Sequence, residues 1–157
     1  MKIRLALPAE AGECWHIRNQ VIRYGCKSCY DDTIIAAWTP ESMPESYRDV
    51  IIANPFFVVD GPDYRPIAMG FLDLPSGSIE AVFTLPQYTG KGLDGRIIKA
   101  IKIEVRELGF EQLTLSSTPN AQSFYEKQGF ILVRESMYPS AFAQAELRCM
   151  EMSITIR

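Results

Sequence analysis

Histidine is almost missing: His16 is the only one in 157 residues. No histidine follows Ser116 or Ser117, so a Ser-His-Asp nucleophile built on those serines is excluded. A single histidine on a first helix is more often structural or surface than functional. Basic charge is not in excess either. Sixteen Lys and Arg stand against nineteen Asp and Glu, a net charge of −3. Nucleic-acid binders carry a basic surplus or a dense basic stripe, so no nucleic-acid partner is expected. The balance suits cationic or neutral small partners, through steering rather than fold. Long apolar runs are lacking. Val50–Ala53 and Phe56–Val59 fall far short of the roughly 18 residues of a membrane helix, and no membrane partner is expected. Lys2 and Arg4 precede a short apolar run, but Pro8 and Glu10 interrupt it, so no signal peptide is expected.

Cysteine is scarce for a secreted scaffold. Four cysteines in a chain able to build its own core do not form a disulfide framework, and the expected location is cytoplasmic with reduced thiols. Cys26-Lys27-Ser28-Cys29 is a C-x-x-C pair. A zinc site needs four ligands, and Cys14, His16 and Cys149 supply no partner spacing, so no metal is expected. The pair follows a helix rather than a strand of a βαβ unit, which argues against a thioredoxin-type motif and for a structural role.

What remains is ordinary globular composition, 47% hydrophobic and 22% charged. The length suits one domain over residues 1–157, able to bury roughly 70% of its unfolded surface. Lys2–Leu7 alternates as a first strand. Ala9 to about Tyr24 reads as a helix broken by Gly25, with Cys14, Trp15, Arg18, Val21 and Ile22 on one face. Asp31 and Asp32 can cap a second helix over Thr33–Trp38, and a third runs from near Pro44 to about Ala53. The period then changes. Phe56–Asp60, Pro66–Leu74 and Ser78–Leu85 read as an antiparallel meander with turns at Gly61-Pro62-Asp63 and Pro75-Ser76-Gly77. Ile97, Ile98, Ile101, Val105 and Leu108 mark the apolar face of a helix stopped by Gly109. Gln112–Ser116 is a fifth strand, and Asn120–Gln128 a short helix. Phe130–Met137 and Glu146–Ile156 are two last strands joined by a loop around Pro139. This order predicts an α+β, mixed α/β, domain around one sheet flanked by helices.

The segment Gly90-Lys91-Gly92-Leu93-Asp94-Gly95 joins a strand to a helix. Its glycines allow a tight turn and close approach of a ligand. The helix start behind it offers unpaired N–H groups and the positive end of the dipole, and Lys91 adds charge. That is an anion site, most naturally for phosphate, or else a plain strand-to-helix turn. It is neither a P-loop nor a dinucleotide fingerprint, because the required pattern and the βαβ unit are missing.

The segment Asn120-Ala121-Gln122-Ser123-Phe124-Tyr125-Glu126-Lys127-Gln128-Gly129-Phe130 resembles the GNAT superfamily of N-acetyltransferases, whose members carry N-x-x-A-x-x-F-Y-E-K-x-G-F or a variant of it. Here Asn120 and Ala121 are adjacent. Ser78–Pro86 resembles the family's fourth strand. Tyr30 through Trp38-Thr39-Pro40 is similar to the second-helix segment of one bacterial subgroup. The resemblance spans nearly the whole chain. It implies a largely antiparallel sheet of about seven strands, splayed between the fourth and fifth. It implies acetyl-CoA as co-substrate, its pyrophosphate on Thr89, Gly90, Lys91, Gly92, Leu93, Asp94 and Gly95. The pantetheine arm would bond to the backbone of Val82, Phe83, Thr84 and Leu85, with Asn120 and Phe124 beside it. The family pattern Q/R-x-x-G-x-G/A fits Gln87–Gly92 as a string. Counting back from Gly109 favours a register two residues later, with Thr89 in the Gln/Arg place and Asp94 in that of the last Gly/Ala. A like charge about 6 Å from phosphate costs below about 1 kcal/mol in water and more when desolvated. Asp94 could instead cap the helix.

The resemblance implies direct acetyl transfer to a primary amine of a small molecule or peptide. Tyr125 matches the tyrosine that protonates the leaving thiolate. Glu80 occupies a fourth-strand position that often carries an acid, and is the candidate base. The N–H near Phe83 or Thr84 would polarise the thioester carbonyl. Tyr30, Trp38 and Trp15 could wall the acceptor pocket, which would meet the first helices and the loop near Tyr138–Gln144. Pairing of final strands into homodimers is common among such proteins. A second reading is a GNAT-fold module that binds CoA or a partner with little or no turnover, which Thr89 and Asp94 favour.

Overall fold

A computed structural model describes residues 1–156. Strand β1 (Ile3–Leu5) leads through a 3-10 turn at Pro8–Glu10 into helix α1 (Ala11–Gly25). Helices α2 (Asp32–Trp38) and α3 (Ser46–Ala53) follow. The Asp31 side chain accepts the Ile34 N–H at 2.9 Å and caps α2, as its position before the apolar run suggests. Strands β2 (Phe56–Asp60), β3 (Pro66–Asp73) and β4 (Ser78–Thr84) form the expected antiparallel meander. Next come α4 (Leu93–Glu107), β5 (Gln112–Ser117), α5 (Gln122–Lys127), β6 (Ile131–Ser140) and β7 (Ala145–Thr155). One sheet holds all seven strands in the order β1-β2-β3-β4-β5-β7-β6. Every pairing is antiparallel except β4 with β5.

The middle strands are covered on both faces, which is why Phe56–Val59 and Pro66–Gly70 read as nearly continuous apolar runs. Alternate residues serve two separate cores. Val59, Ala68, Leu72 and Leu113 pack with Ile97, Ile98, Ile101 and Val105 of α4. Phe56, Val58 and Met69 pack with Ala11, Cys14 and Ile17 of α1 and Ile51 of α3. The end of α4 is set by Gly109 at φ +82°: Gly109 N–H bonds the Arg106 carbonyl and Phe110 N–H the Val105 carbonyl, closing the last turn. Leu108, expected on the apolar face, is half exposed at that end.

Three boundaries differ from expectation. The first strand shrinks to three residues because Pro8 already belongs to the 3-10 turn; Arg4 binds Glu10 from that turn and Asp60 of β2, fixing the entry of α1. The helix expected from Asn120 starts as a 3-10 turn at Pro119–Ala121. The loop expected around Pro139 is strand: Pro139 pairs with Glu146, and the chain reverses over 141–144 instead. β6 is an edge strand, where a residue without an N–H is tolerated. No described helix is long and apolar enough to cross a membrane, and all four cysteines are free.

Ile101 is fully buried between α4 and the sheet. Ile101→Ala is expected to cost about 2–5 kcal/mol, read as a fall in the urea midpoint at unchanged m-value.

Candidate functional site

β4 and β5 run together for two residue pairs, Ser78 with Thr114 and Ile79 with Leu115. Beyond them β5 no longer pairs with β4. A bulge begins at the same place: Phe71 faces Glu80 while Met69 faces Phe83, so β4 carries one extra residue, and Ala81 sits at φ +55°. The bulge explains the facing of the side chains. Ile79 and Val82 both join the α4 core, although they are three apart, and Ala81 joins the α1 core. Glu80, next to Ile79, is thereby turned toward the α1 face. Past the bulge, Leu85 N–H bonds the Ile67 carbonyl in β3 at 2.9 Å. Strand alternation then turns Phe83 toward β3 as well, and turns the N–H and C=O groups of Val82 and Thr84 to the side that β5 has left. An extended ligand can add to such an edge.

The chain leaves β4 at Leu85 and makes a 3-10 turn, Pro86–Tyr88, whose first carbonyl, that of Pro86, accepts from the Thr89 hydroxyl at 3.0 Å. Gly90 (φ +83°) and Gly92 (φ +76°) both adopt left-handed backbone, and nothing stands within 4 Å of where a side chain would begin at either. The space above the loop is open, and Lys91 lies between the two glycines. The first intrahelical bond of α4 runs from Arg96 N–H to the Gly92 carbonyl. The N–H groups of Leu93, Asp94 and Gly95 therefore have no helical partner, and no side chain caps them. The Leu93 side chain is buried in the core, so only its backbone is presented here. Three free donors at the positive end of a fifteen-residue helix can hold an anion.

Asp94 does not cap this helix end. Its carboxylate turns inward and accepts a hydrogen bond from the Thr84 hydroxyl of β4. Burial holds its pKa above the ordinary carboxylate range, and the Thr84 bond only partly offsets that. Tyr125, on α5, is buried beside Phe124 and Phe130. Its phenol is pushed above its ordinary pKa by burial first, then by the Asp94 and Glu80 charges, which places both carboxylates in its surroundings. Glu80 accepts from the Ser78 hydroxyl at 3.0 Å, and burial raises its carboxyl pKa. The Tyr138 phenol of β6 is raised by burial first and then by the Glu80 charge, which brings β6 into the same region.

On the α1 face, Tyr30 and Trp38 meet edge to face at 5.6 Å. The Tyr30 hydroxyl donates to the Arg148 carbonyl of β7, and the Trp38 carbonyl accepts from Arg18 at 2.9 Å. Both residues thus also tie α1, α2 and β7 together. The Asn120 amide oxygen accepts from the Cys26 and Cys29 thiols, at 3.8 and 3.6 Å. The C-x-x-C turn is packed on the segment that leads to Tyr125. His16 lines a groove of about 350 Å³ with Glu13, Arg65, Gln87 and Tyr88, beside the 3-10 turn that precedes the glycine loop. Among the described residues no group of three His, Cys, Asp or Glu is placed to hold a metal ion.

A family model described as acetyltransferase (GNAT) domain matches residues 26–155. The chain belongs to the GNAT acetyltransferase family. An uncharacterized acetyltransferase of Streptococcus pyogenes serotype M1 is 32% identical to it over 96 residues, which cover 59% of this chain and 63% of that protein. The chain thus spans less than two thirds of that relative's length. A GCN5-related N-acetyltransferase from Rhodopseudomonas palustris shares the fold with a TM-score of 0.87 at 19% identity, over 98% of this chain and 94% of the other. The PaiA N-acetyltransferase of Thermoplasma acidophilum, solved in complex with coenzyme A, gives 0.77 at 16% identity and 98% coverage of both. The parallel β4–β5 pair within a mostly antiparallel seven-stranded sheet is the GNAT arrangement that the resemblance implied.

The GNAT motifs located β4, the glycine loop and α5. They carried no sign that Thr84 and Asp94, ten residues apart, would bond, or that Asn120 would bind two thiols; such partners are set by packing. Thr84→Val is expected to leave the Asp94 carboxylate unpaired, at a cost of about 1–3 kcal/mol. The sign with pH follows from the direction of the shift. A folded-state pKa already raised rises further, so stability is lost as pH climbs through it. Urea titrations at about pH 5 and about pH 8 should show the larger penalty at the higher pH.

Proposed function

We propose that the chain is an acetyl-CoA-dependent N-acetyltransferase that moves the acetyl group directly onto a primary amine of a small molecule or peptide. The observation that carries this reading is the free edge of β4 beside the uncapped start of α4. The donor's pyrophosphate would take the N–H groups of the Thr89–Gly95 loop, with Lys91 as counter-charge. Its pantetheine arm would extend along Val82–Leu85 as an added strand, with Phe124 and Asn120 on the far side. The backbone alternation supports Val82 and Thr84, rather than Phe83, as the donors that face the thioester carbonyl and stabilise the charge that develops there.

Acyl transfer also needs a proton taken from the amine and one given to the departing sulfur. Glu80 is the proposed base, whose raised pKa brings it closer to that of the proton it must accept. Tyr125 is the proposed acid. A phenol is protonated at neutral pH at its ordinary pKa near 10, and burial pushes Tyr125 further toward that donor form. Tyr30 and Trp38 are proposed to border the acceptor, which would approach from the α1 face where Glu80 points. Two copies would pair through the β6 edge, where Ile131, Leu132 and Val133 are exposed.

The second reading, a GNAT-fold module that holds CoA or a partner with little turnover, is favoured by one observation: a partly buried carboxylate, Asp94, in the first turn of the proposed phosphate-binding helix. Thiol release from acetyl-CoA over a panel of amines separates the two. For the enzyme, Tyr125→Phe should lower kcat by about 10²–10⁴ while CoA binding, measured by titration calorimetry, stays within about twofold. Turnover unchanged by this substitution would reject Tyr125 as the acid. Glu80→Gln should lower kcat/KM by a similar factor and abolish the fall in rate on the acid side, since that fall tracks protonation of Glu80.

A further inference from the structure

The α4 start poses an electrostatic conflict. Leu93, Asp94 and Gly95 present free N–H donors, yet Asp94 itself brings a carboxylate into the same turn. That carboxylate is partly buried and turns toward Thr84 of β4. The groups facing it from each neighbouring element are few. β4 contributes the Thr84 hydroxyl, a neutral donor. α5 contributes the Tyr125 phenol, itself perturbed by the Asp94 charge. On α4, Arg96 is turned away to the Met1 carbonyl at 2.7 Å. From the loop, Lys91 carries a charge three residues before Asp94. Glu80 adds a second negative charge around Tyr125. Among the described residues no Lys, Arg or His forms an ion pair with Asp94. A partly desolvated carboxylate without an ion-pair partner is readily driven to its neutral form by another negative charge.

We propose that Asp94 sets the affinity for the acyl donor by taking up a proton when the donor's pyrophosphate binds the α4 start. This rests on the donor site proposed above. The free protein holds Asp94 with one hydrogen bond and no counter-charge. An arriving pyrophosphate disfavours the carboxylate further, and the proton comes from solvent. Protonated Asp94 would no longer oppose the anion and would still bond to Thr84, now as donor or acceptor. Binding linked to uptake of one proton strengthens as pH falls, by up to about tenfold per pH unit between the free and bound pKa values, and levels off outside that window. The burial that already lifts the carboxyl pKa places the start of the window above the ordinary Asp range.

The experiment is calorimetric titration of CoA into the wild-type protein and Asp94→Asn, at several pH values and in two buffers of different ionisation heat. The wild type should take up more protons per CoA than Asp94→Asn. The donor's own phosphates titrate in both proteins, so the difference isolates Asp94. At about pH 8 Asp94→Asn should bind CoA about tenfold more tightly, and its affinity should depend less on pH. Equal proton uptake and equal or weaker binding by Asp94→Asn overturns the inference while leaving the donor site intact. Binding by Asp94→Asn alone overturns the proton uptake while leaving the donor site intact, since the wild type would then be blocked by a carboxylate that stays charged. No CoA binding by either protein overturns the donor site and this inference with it. If Asp94→Asn folds poorly, Asp94→Ala serves as the second variant, with the same difference in proton uptake from the wild type expected.

Discussion

Strands β4 and β5 stay paired for only two residues, and the candidate site depends on where they separate. A parallel pair that continued would have satisfied the backbone of Val82 and Thr84 and left no edge for a ligand. Separation has a local cause in β4. The extra residue at Ala81, with its left-handed backbone, bends the strand and turns Glu80 and Ala81 toward the α1 face. The same bulge therefore opens the edge and aims the proposed base. A non-glycine residue with positive φ costs of order 1 kcal/mol, and the surrounding sheet and two cores hold it in place.

Electrostatics at the site follows from burial more than from paired charges. Glu80, Asp94 and Tyr125 all shift in the direction that favours the neutral form, with burial as the largest cause in each. Strong ion pairing lies elsewhere, in the Arg4–Glu10–Asp60 cluster that anchors the chain entry. Partly desolvated acids beside free backbone donors suit proton transfer and anion binding together. It also makes every added negative charge expensive, which is why Asp94 is the residue where donor binding and protonation would couple.

The thiol pair shows a different use of packing. Cys26 and Cys29 share one acceptor, the Asn120 amide oxygen, at the foot of the segment carrying Tyr125. The turn after α1 thereby braces α5. Tyr30 makes a similar tie to β7 through the Arg148 carbonyl. The α1 face is thus held by Cys26, Cys29 and Tyr30, close together in sequence, whose partners lie 91 to 118 residues further on.

The amino-acid sequence by itself determined the elements, and the reason is local. Periodicity distinguished α4 from the meander, Asp31 and Gly109 marked helix ends, and Gly90 and Gly92 marked the backbone that only glycine adopts without cost. The motif around Phe124 and Tyr125 located the fifth helix and the family. Boundaries set by longer contacts were misjudged, as at Pro139, because an edge strand tolerates proline and nothing in the local sequence says which strand is the edge. The tertiary structure alone decided which way Asp94 points, that Thr84 is its partner, that Asn120 serves two cysteines, and that Glu80 lies beside the bulge on the α1 face. These are contacts between distant segments, set by how two cores share one sheet, and no pattern of neighbouring residues encodes them.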